Sequence, residues 1–88
     1  MSAEPLQLMT RRGCHLCELV REPVAHGADE LGLALLEYDV DEQEELRRLY
    51  GSRVPVLLSG GVVLGEGRFD PEAALEALRP ASPQLTDR

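Results

Sequence analysis

Lysine, isoleucine, asparagine and tryptophan are all missing from this 88-residue chain. Without lysine, the basic side chains are nine arginines, so cationic work in any site falls to Arg or to the two histidines, His15 and His26. Sixteen acids outweigh them, and the net charge of −7 argues against nucleic acid or an anionic membrane surface as a partner. Long apolar runs are missing too: none approaches the roughly 20 residues that cross a bilayer. Met1-Ser2-Ala3-Glu4-Pro5 lacks the basic and apolar regions of a secretory signal. These absences predict a cytoplasmic protein. Cysteine is scarce, with Cys14 and Cys17 the only two. A bridge between them closes a loop too small to constrain the unfolded chain much. One close pair in a cytoplasmic chain points instead to reversible redox chemistry or to a metal.

The length suits one domain, with a modest core that buries about 60–65% of the unfolded surface. Neither repeats nor an internal linker interrupt it. Residues 1–5 and 80–88 read as flexible ends around a domain at 6–79, because both are short of large apolar residues and rich in proline or small polar ones. Between them the pattern is β-α-β-α-β-β-α. Leu6 to Thr10 is a first strand, and Arg11-Arg12-Gly13 a turn. Leu16, Leu19, Val20, Val24 and Leu31 recur at helical spacing, with Pro23 expected to kink the helix and Gly27 to weaken it. Leu33 to Tyr38 is a second strand, whose near-continuous apolar start suits a buried central position. Asp41 with Glu44 resembles a capping box for a helix that carries Leu46, Leu49 and Tyr50 and ends at Gly51. The six acids from Glu37 to Glu45 read as a solvated surface near a helix start. Val56 to Leu58, Ser59-Gly60-Gly61 and Val62 to Leu64 form a hairpin signal. Asp70 caps a last helix that opens on Pro71 and turns Ala74, Leu75 and Leu78 inward. The expected architecture is a mixed four-stranded α/β sheet flanked by three helices.

The chemistry centres on Cys14-His15-Leu16-Cys17. The attacking species in thiol–disulfide exchange is the thiolate, and in Cys-x-x-Cys motifs the thiol pKa falls to roughly 3.5–7.5. Cys14 opens a helix, where unpaired N–H groups and the macrodipole favour negative charge. Cys17 lies one helical turn on, within reach of Cys14. Cys14 is therefore expected to attack and Cys17 to resolve. A protonated His15 would stabilise the thiolate; an exposed first-turn His15 would do little. Arg11 and Arg12 either assist the thiolate, hold the carboxylates of a small thiol, or are solvated turn residues. Glu18 acts in the opposite sense. Zinc is the main competitor for the pair. A structural zinc site needs four ligands, and beyond the cysteines the chain offers only His15, inside the motif, and His26. No metal is expected on that supply, and Glu18 after Cys17 rules out the c-type haem signature. Val54-Pro55 precedes the third strand, where Pro is tolerated and where a cis bond is plausible beside a plain trans one.

Together these motifs resemble the thioredoxin superfamily, and within it the short bacterial glutaredoxin-like proteins. The resemblance rests on the strand ending at Thr10, Cys14-His15-Leu16-Cys17 opening a helix, Arg53-Val54-Pro55 before the third strand, and Gly65-Glu66-Gly67 after the turn. It covers roughly residues 6–79 and implies a thioredoxin-like fold. It further implies that Cys14 is the nucleophile, Cys17 the resolving thiol and Pro55 a cis-proline facing them. The Val54 backbone would pair with a bound thiol peptide in β-strand fashion. Gly65 and Gly67 would lie near a glutathione-binding surface, with Arg11, Arg12, His15, Leu16, Arg53 and Val54 as further thiol-binding candidates.

The chain departs from the glutaredoxin pattern in several places. His15 and Leu16 replace Pro-Tyr, Arg53 replaces Thr, Glu66 splits the Gly-Gly pair, and Asp70 stands for a displaced acid. The function implied is a dithiol oxidoreductase acting on protein or low-molecular-weight mixed disulfides, as a monomer with no bound cofactor, and with glutathione or another small thiol as reductant. A non-catalytic thioredoxin-like docking module and a [2Fe–2S] carrier are the alternatives.

Overall fold

The computed structural model describes residues 4–79. The expected loose ends therefore fall outside the described residues, apart from Glu4 and Pro5. Four strands and three α-helices follow in the expected order: β1 (Leu6–Thr10), α1 (His15–Leu31), β2 (Leu35–Asp39), α2 (Glu44–Tyr50), β3 (Val56–Ser59), β4 (Val62–Glu66) and α3 (Pro71–Glu76). A short 3₁₀ turn, Val40–Glu42, separates β2 from α2. The sheet order is β2-β1-β3-β4. β1 runs parallel to β2 and antiparallel to β3, which pairs antiparallel with β4.

Because side chains alternate across a strand, the sheet carries two cores. Leu6, Leu8 and Leu57 point to one face and pack with Val20, Val24 and Ala28 of α1 and Ala74 and Leu75 of α3. Met9, Val56 and Leu58 point to the other and pack with Val40, with Leu46 and Tyr50 of α2 against them. The result is three layers, with α1 and α3 on one side of the sheet and α2 on the other.

Three local expectations are corrected. The second strand is an edge strand, not a central one, and Leu36 is 41% exposed. Its apolar run looks like a buried parallel strand, but β3 takes the other side of β1 and leaves β2 outermost. Leu19, placed on the apolar face by spacing, is 54% exposed, since the buried stripe of α1 runs through Cys17, Val20, Val24, Gly27 and Ala28. Asp41 does not cap α2. Asp39 caps the 3₁₀ turn by accepting the Asp41 N–H at 2.9 Å. Gln43 occupies the α2 cap position without a side-chain bond, and the Asp41 carboxylate is held by Arg11 at 2.8 and 3.0 Å.

Elsewhere the local signals hold. Pro23 is the exception, since α1 is a single helix that continues through it and through Gly27. Gly60 and Gly61 both take positive φ in the hairpin turn, as a two-residue turn of the primed type needs. Asp70 accepts the Glu72 N–H at 3.1 Å, with Pro71 in the first helical position. In β4, Leu57 pairs with Gly65 and Leu58 with Val63, so Leu64 is an extra, bulged residue.

Gly27 is buried where α1 crosses α3, and a Cβ there would collide with Leu75 Cδ1. Helix propensity alone favours Gly27→Ala by about 1 kcal/mol. Leu75 is itself 2% exposed and packed in the core under α1 and α3; turning its Cδ1 aside would disturb that packing, and overpacking of about 1–3 kcal/mol opposes the gain. Gly27→Ala is expected to lower stability by about 1 kcal/mol in urea denaturation; a stabilised variant would contradict this account of the α1–α3 contact.

Candidate active site

Cys14 is the N-cap of α1, with extended backbone angles, and its Sγ accepts the Cys17 N–H at 3.1 Å. Gly13 just before it takes φ 78°, a left-handed conformation that suits glycine. The Cys14 N–H is satisfied by the Arg11 carbonyl at 3.2 Å, so the turn closes on itself. Cys14 and Cys17 are joined as a disulfide with Cα atoms 5.2 Å apart. Cys17 is fully buried, Cys14 and Leu16 are half-buried, and His15 is exposed. The one sulfur open to a partner is thus at the helix start, where main-chain N–H groups favour negative charge.

The sheet register brings a second segment to the same place. Met9 of β1 lies opposite Val56 of β3, so one step further Thr10 falls level with Pro55. The Val54–Pro55 peptide bond is cis. Among the described residues neither the N–H nor the carbonyl of Val54 has a backbone partner. Gly67, at φ 63°, donates its N–H to the carbonyls of both Arg53 (3.1 Å) and Pro55 (2.8 Å) and ties the end of β4 to this segment. Gly65 lies under Phe69: a Cβ there would come within 2.6 Å of the ring. Cys14, Val54, Pro55 and Gly67 therefore lie toward one end of the central strands, beyond the carboxyl end of β1.

The arginines are differently engaged. Arg11 grips Asp41 with Nε and Nη2 and gives Nη1 to the Gly51 carbonyl at 2.9 Å. Arg53 places Nε and Nη2 on one oxygen of Glu66, at 3.0 and 2.6 Å, and Nη1 on the Leu49 carbonyl at 3.1 Å. Its guanidinium also sits over Tyr50, 5.4 Å from the ring centre. Both guanidinium pKa values are raised, chiefly by their hydrogen-bonded carboxylates. Arg12 is exposed and lines a cleft of about 400 Å³ with Arg21, Glu37, Asp39 and Glu42. Among the described residues no cluster of three or more His, Cys, Asp or Glu side chains is placed to hold a metal ion. Sequence reasoning missed Asp41 and Glu66 as partners of the site arginines, as well as the buried Gly51. No local pattern marks any of the three, since each contact joins separate elements.

The family described as "Glutaredoxin-like domain (DUF836)" matches residues 5–81. The chain belongs to that family. Among curated relatives, an uncharacterized protein of Mycobacterium tuberculosis, Rv0508, is 38% identical over 66 residues, which span 69% of this chain and 68% of the relative. The solution structure of Ne2328 from Nitrosomonas europaea superposes with a TM-score of 0.71 at 29% identity, covering 89% of this chain and 93% of that one. A mutant thioredoxin from Halobacterium salinarum NRC-1 superposes with a TM-score of 0.62 at 30% identity, covering 86% and 72%. The fold of this glutaredoxin-like domain is thus thioredoxin-like, with its paired cysteines at the start of α1.

Arg11 also holds the Asp41 carboxyl below the usual aspartate range, mainly through its hydrogen bonds. A lowered pKa makes the bridge a source of stability above the unfolded aspartate value of about 3.9. That contribution is lost as pH falls through the lowered folded value. Asp41→Asn is therefore expected to be less stable than the parent at neutral pH and to converge with it in strong acid. Urea midpoints measured across that range check this; a gap independent of pH would contradict it.

Proposed function

We propose that this protein is a dithiol thiol–disulfide oxidoreductase that reduces disulfides of proteins or mixed disulfides of small thiols. The observation that carries the reading is the bridged Cys14–Cys17 pair at the start of α1, level with the cis Val54–Pro55 bond, where the Val54 N–H and carbonyl have no backbone partner among the described residues. In the reduced protein the Cys14 thiolate attacks one substrate sulfur. An S–S bond to Cys14 forms, and the other substrate sulfur leaves as a thiolate that takes up a proton. Cys17 then gives up its proton and attacks Cys14 Sγ, closing the Cys14–Cys17 disulfide and expelling the second substrate thiol. Two electrons pass from the dithiol to the substrate. Glutathione or another low-molecular-weight thiol returns them in two one-thiol steps and is itself oxidised to its disulfide.

The division of labour follows from burial: Cys17 is inaccessible and Cys14 is not. A polypeptide substrate would lie against Val54 as an added strand, taking up its unpaired N–H and carbonyl. The Cys17 N–H on Cys14 Sγ supplies a donor to the sulfur that carries charge during the exchange.

Cys14→Ser is expected to abolish reduction of hydroxyethyl disulfide and of insulin. Cys17→Ser is expected to accumulate a mixed disulfide through Cys14, read by intact mass. A parent protein that binds disulfide peptides without reducing them would identify a docking module instead.

A further inference from the structure

Three arginines border the proposed thiol site, and two of them are already neutralised from within. Arg11 is paired with Asp41 and also donates to the Gly51 carbonyl. Arg53 is paired with Glu66 and also donates to the Leu49 carbonyl. Only Arg12 has no ion pair among the described residues, and it shares its cleft with Glu37, Asp39 and Glu42. Arg53 matters most, because it precedes Val54 and the cis peptide bond. Glu66 is the residue of β4 opposite Val56, immediately before the Gly67 whose N–H is bonded to the Arg53 and Pro55 carbonyls. The pair is thus part of the rim against which a substrate lies.

A carboxylate arriving at this rim would meet a guanidinium whose charge Glu66 already offsets, and would lie beside a second anion. Whether it displaced Glu66 or joined it, little charge neutralisation would be gained. A protein of net charge −7 offers no long-range attraction in compensation. An uncharged disulfide, or a polypeptide that docks through main-chain hydrogen bonds at Val54, meets no such competition.

We infer that Glu66 is a specificity-determining residue: as the internal carboxylate on Arg53, it turns the site away from anionic small disulfides and toward polypeptide disulfides without acidic flanks. This rests on the oxidoreductase reading and names its substrate class.

The test uses the reduced protein and reads the charge at the thiol without requiring turnover. Cys14 is alkylated by iodoacetate, an anion, and by iodoacetamide, its neutral analogue, and both rates are followed by mass spectrometry of the Cys14 peptide. Glu66→Gln keeps the shape and frees the Arg53 charge. It is expected to raise the iodoacetate-to-iodoacetamide rate ratio about two- to fivefold at low salt, the size expected of one unit charge near a solvated thiolate. The gain should shrink in high salt. Arg53→Gln leaves Glu66 unpaired and should lower the ratio instead, so the inference stays testable if either variant folds poorly. Glu30→Gln, which removes one acid near the far end of α1, should leave the ratio unchanged. The ratio of glutathione disulfide to hydroxyethyl disulfide reduction should rise in Glu66→Gln in parallel. An alkylation ratio unmoved by Glu66→Gln, or moved equally by Glu30→Gln, overturns the inference. Absence of hydroxyethyl disulfide reduction in every variant, with the alkylation ratio still shifted, would overturn the oxidoreductase reading and leave the charge assignment standing.

Discussion

β1 is hydrogen-bonded along both edges, parallel to β2 and antiparallel to β3, and its Leu6 and Leu8 are completely buried. The positions of the two halves of the site depend on that clamp. The cysteine turn leaves from the carboxyl end of β1, and the cis peptide bond enters β3 level with the same end. A slip of one residue between the strands would exchange Leu8 for Met9 and Val56 for Leu57 across the sheet. Those residues belong to two separate cores, one under α1 and α3 and the other under α2. The distance between the thiols and the cis-proline is in this sense set by core packing, several residues away from any chemistry.

Much of this was legible in the chain, for reasons that differ from element to element. The Cys-x-x-Cys pair, the Gly-Gly hairpin and Asp70-Pro71 are signals contained within a few residues, and each appears where its local rule puts it. Pro55 has to stand at a strand's start, which leaves its bond open to cis or trans; the family resemblance implies cis, and the bond is cis. What escaped was decided across the fold. Leu35-Leu36 reads the same at an edge as at a centre, and only the placement of β3 beside β1 makes β2 an edge. Asp39 and Asp41 are both competent caps, and Asp41 is diverted because a guanidinium from the cysteine turn reaches it. Arg11 and Arg53 read as thiol-binding candidates and not as members of ion pairs, because their carboxylate partners lie on other elements.

The same two arginines explain how α2 stays in place. It has seven residues, none of them buried, and no side-chain cap. A helix so short is unstable alone. Its last carbonyls, Leu49 and Gly51, are taken by Arg53 and Arg11, each of which also grips an acid from another segment. Gly51 must be small here, because a Cβ would meet the Arg47 carbonyl and come within 3.2 Å of the Arg11 guanidinium. The chain therefore spends its arginines on architecture as well as on charge, and the planar, several-donor geometry of Arg, which a lysine could not supply, is what that role requires.

The bulge at Leu64 has a consequence for how copies of this chain meet. β4 is an open edge, with Val62 61% and Val63 40% exposed. A flat apolar edge of that kind templates the addition of strands from other molecules, the first step toward insoluble stacks. An extra residue interrupts the ladder and increases the local twist, so successive N–H and carbonyl groups no longer present an even row. The opposite edge, β2, carries Glu37 and Asp39, and like charges would face one another if two such edges met. The sheet thus leaves main-chain pairing open at Val54, which has no backbone partner among the described residues, and discourages it along its borders.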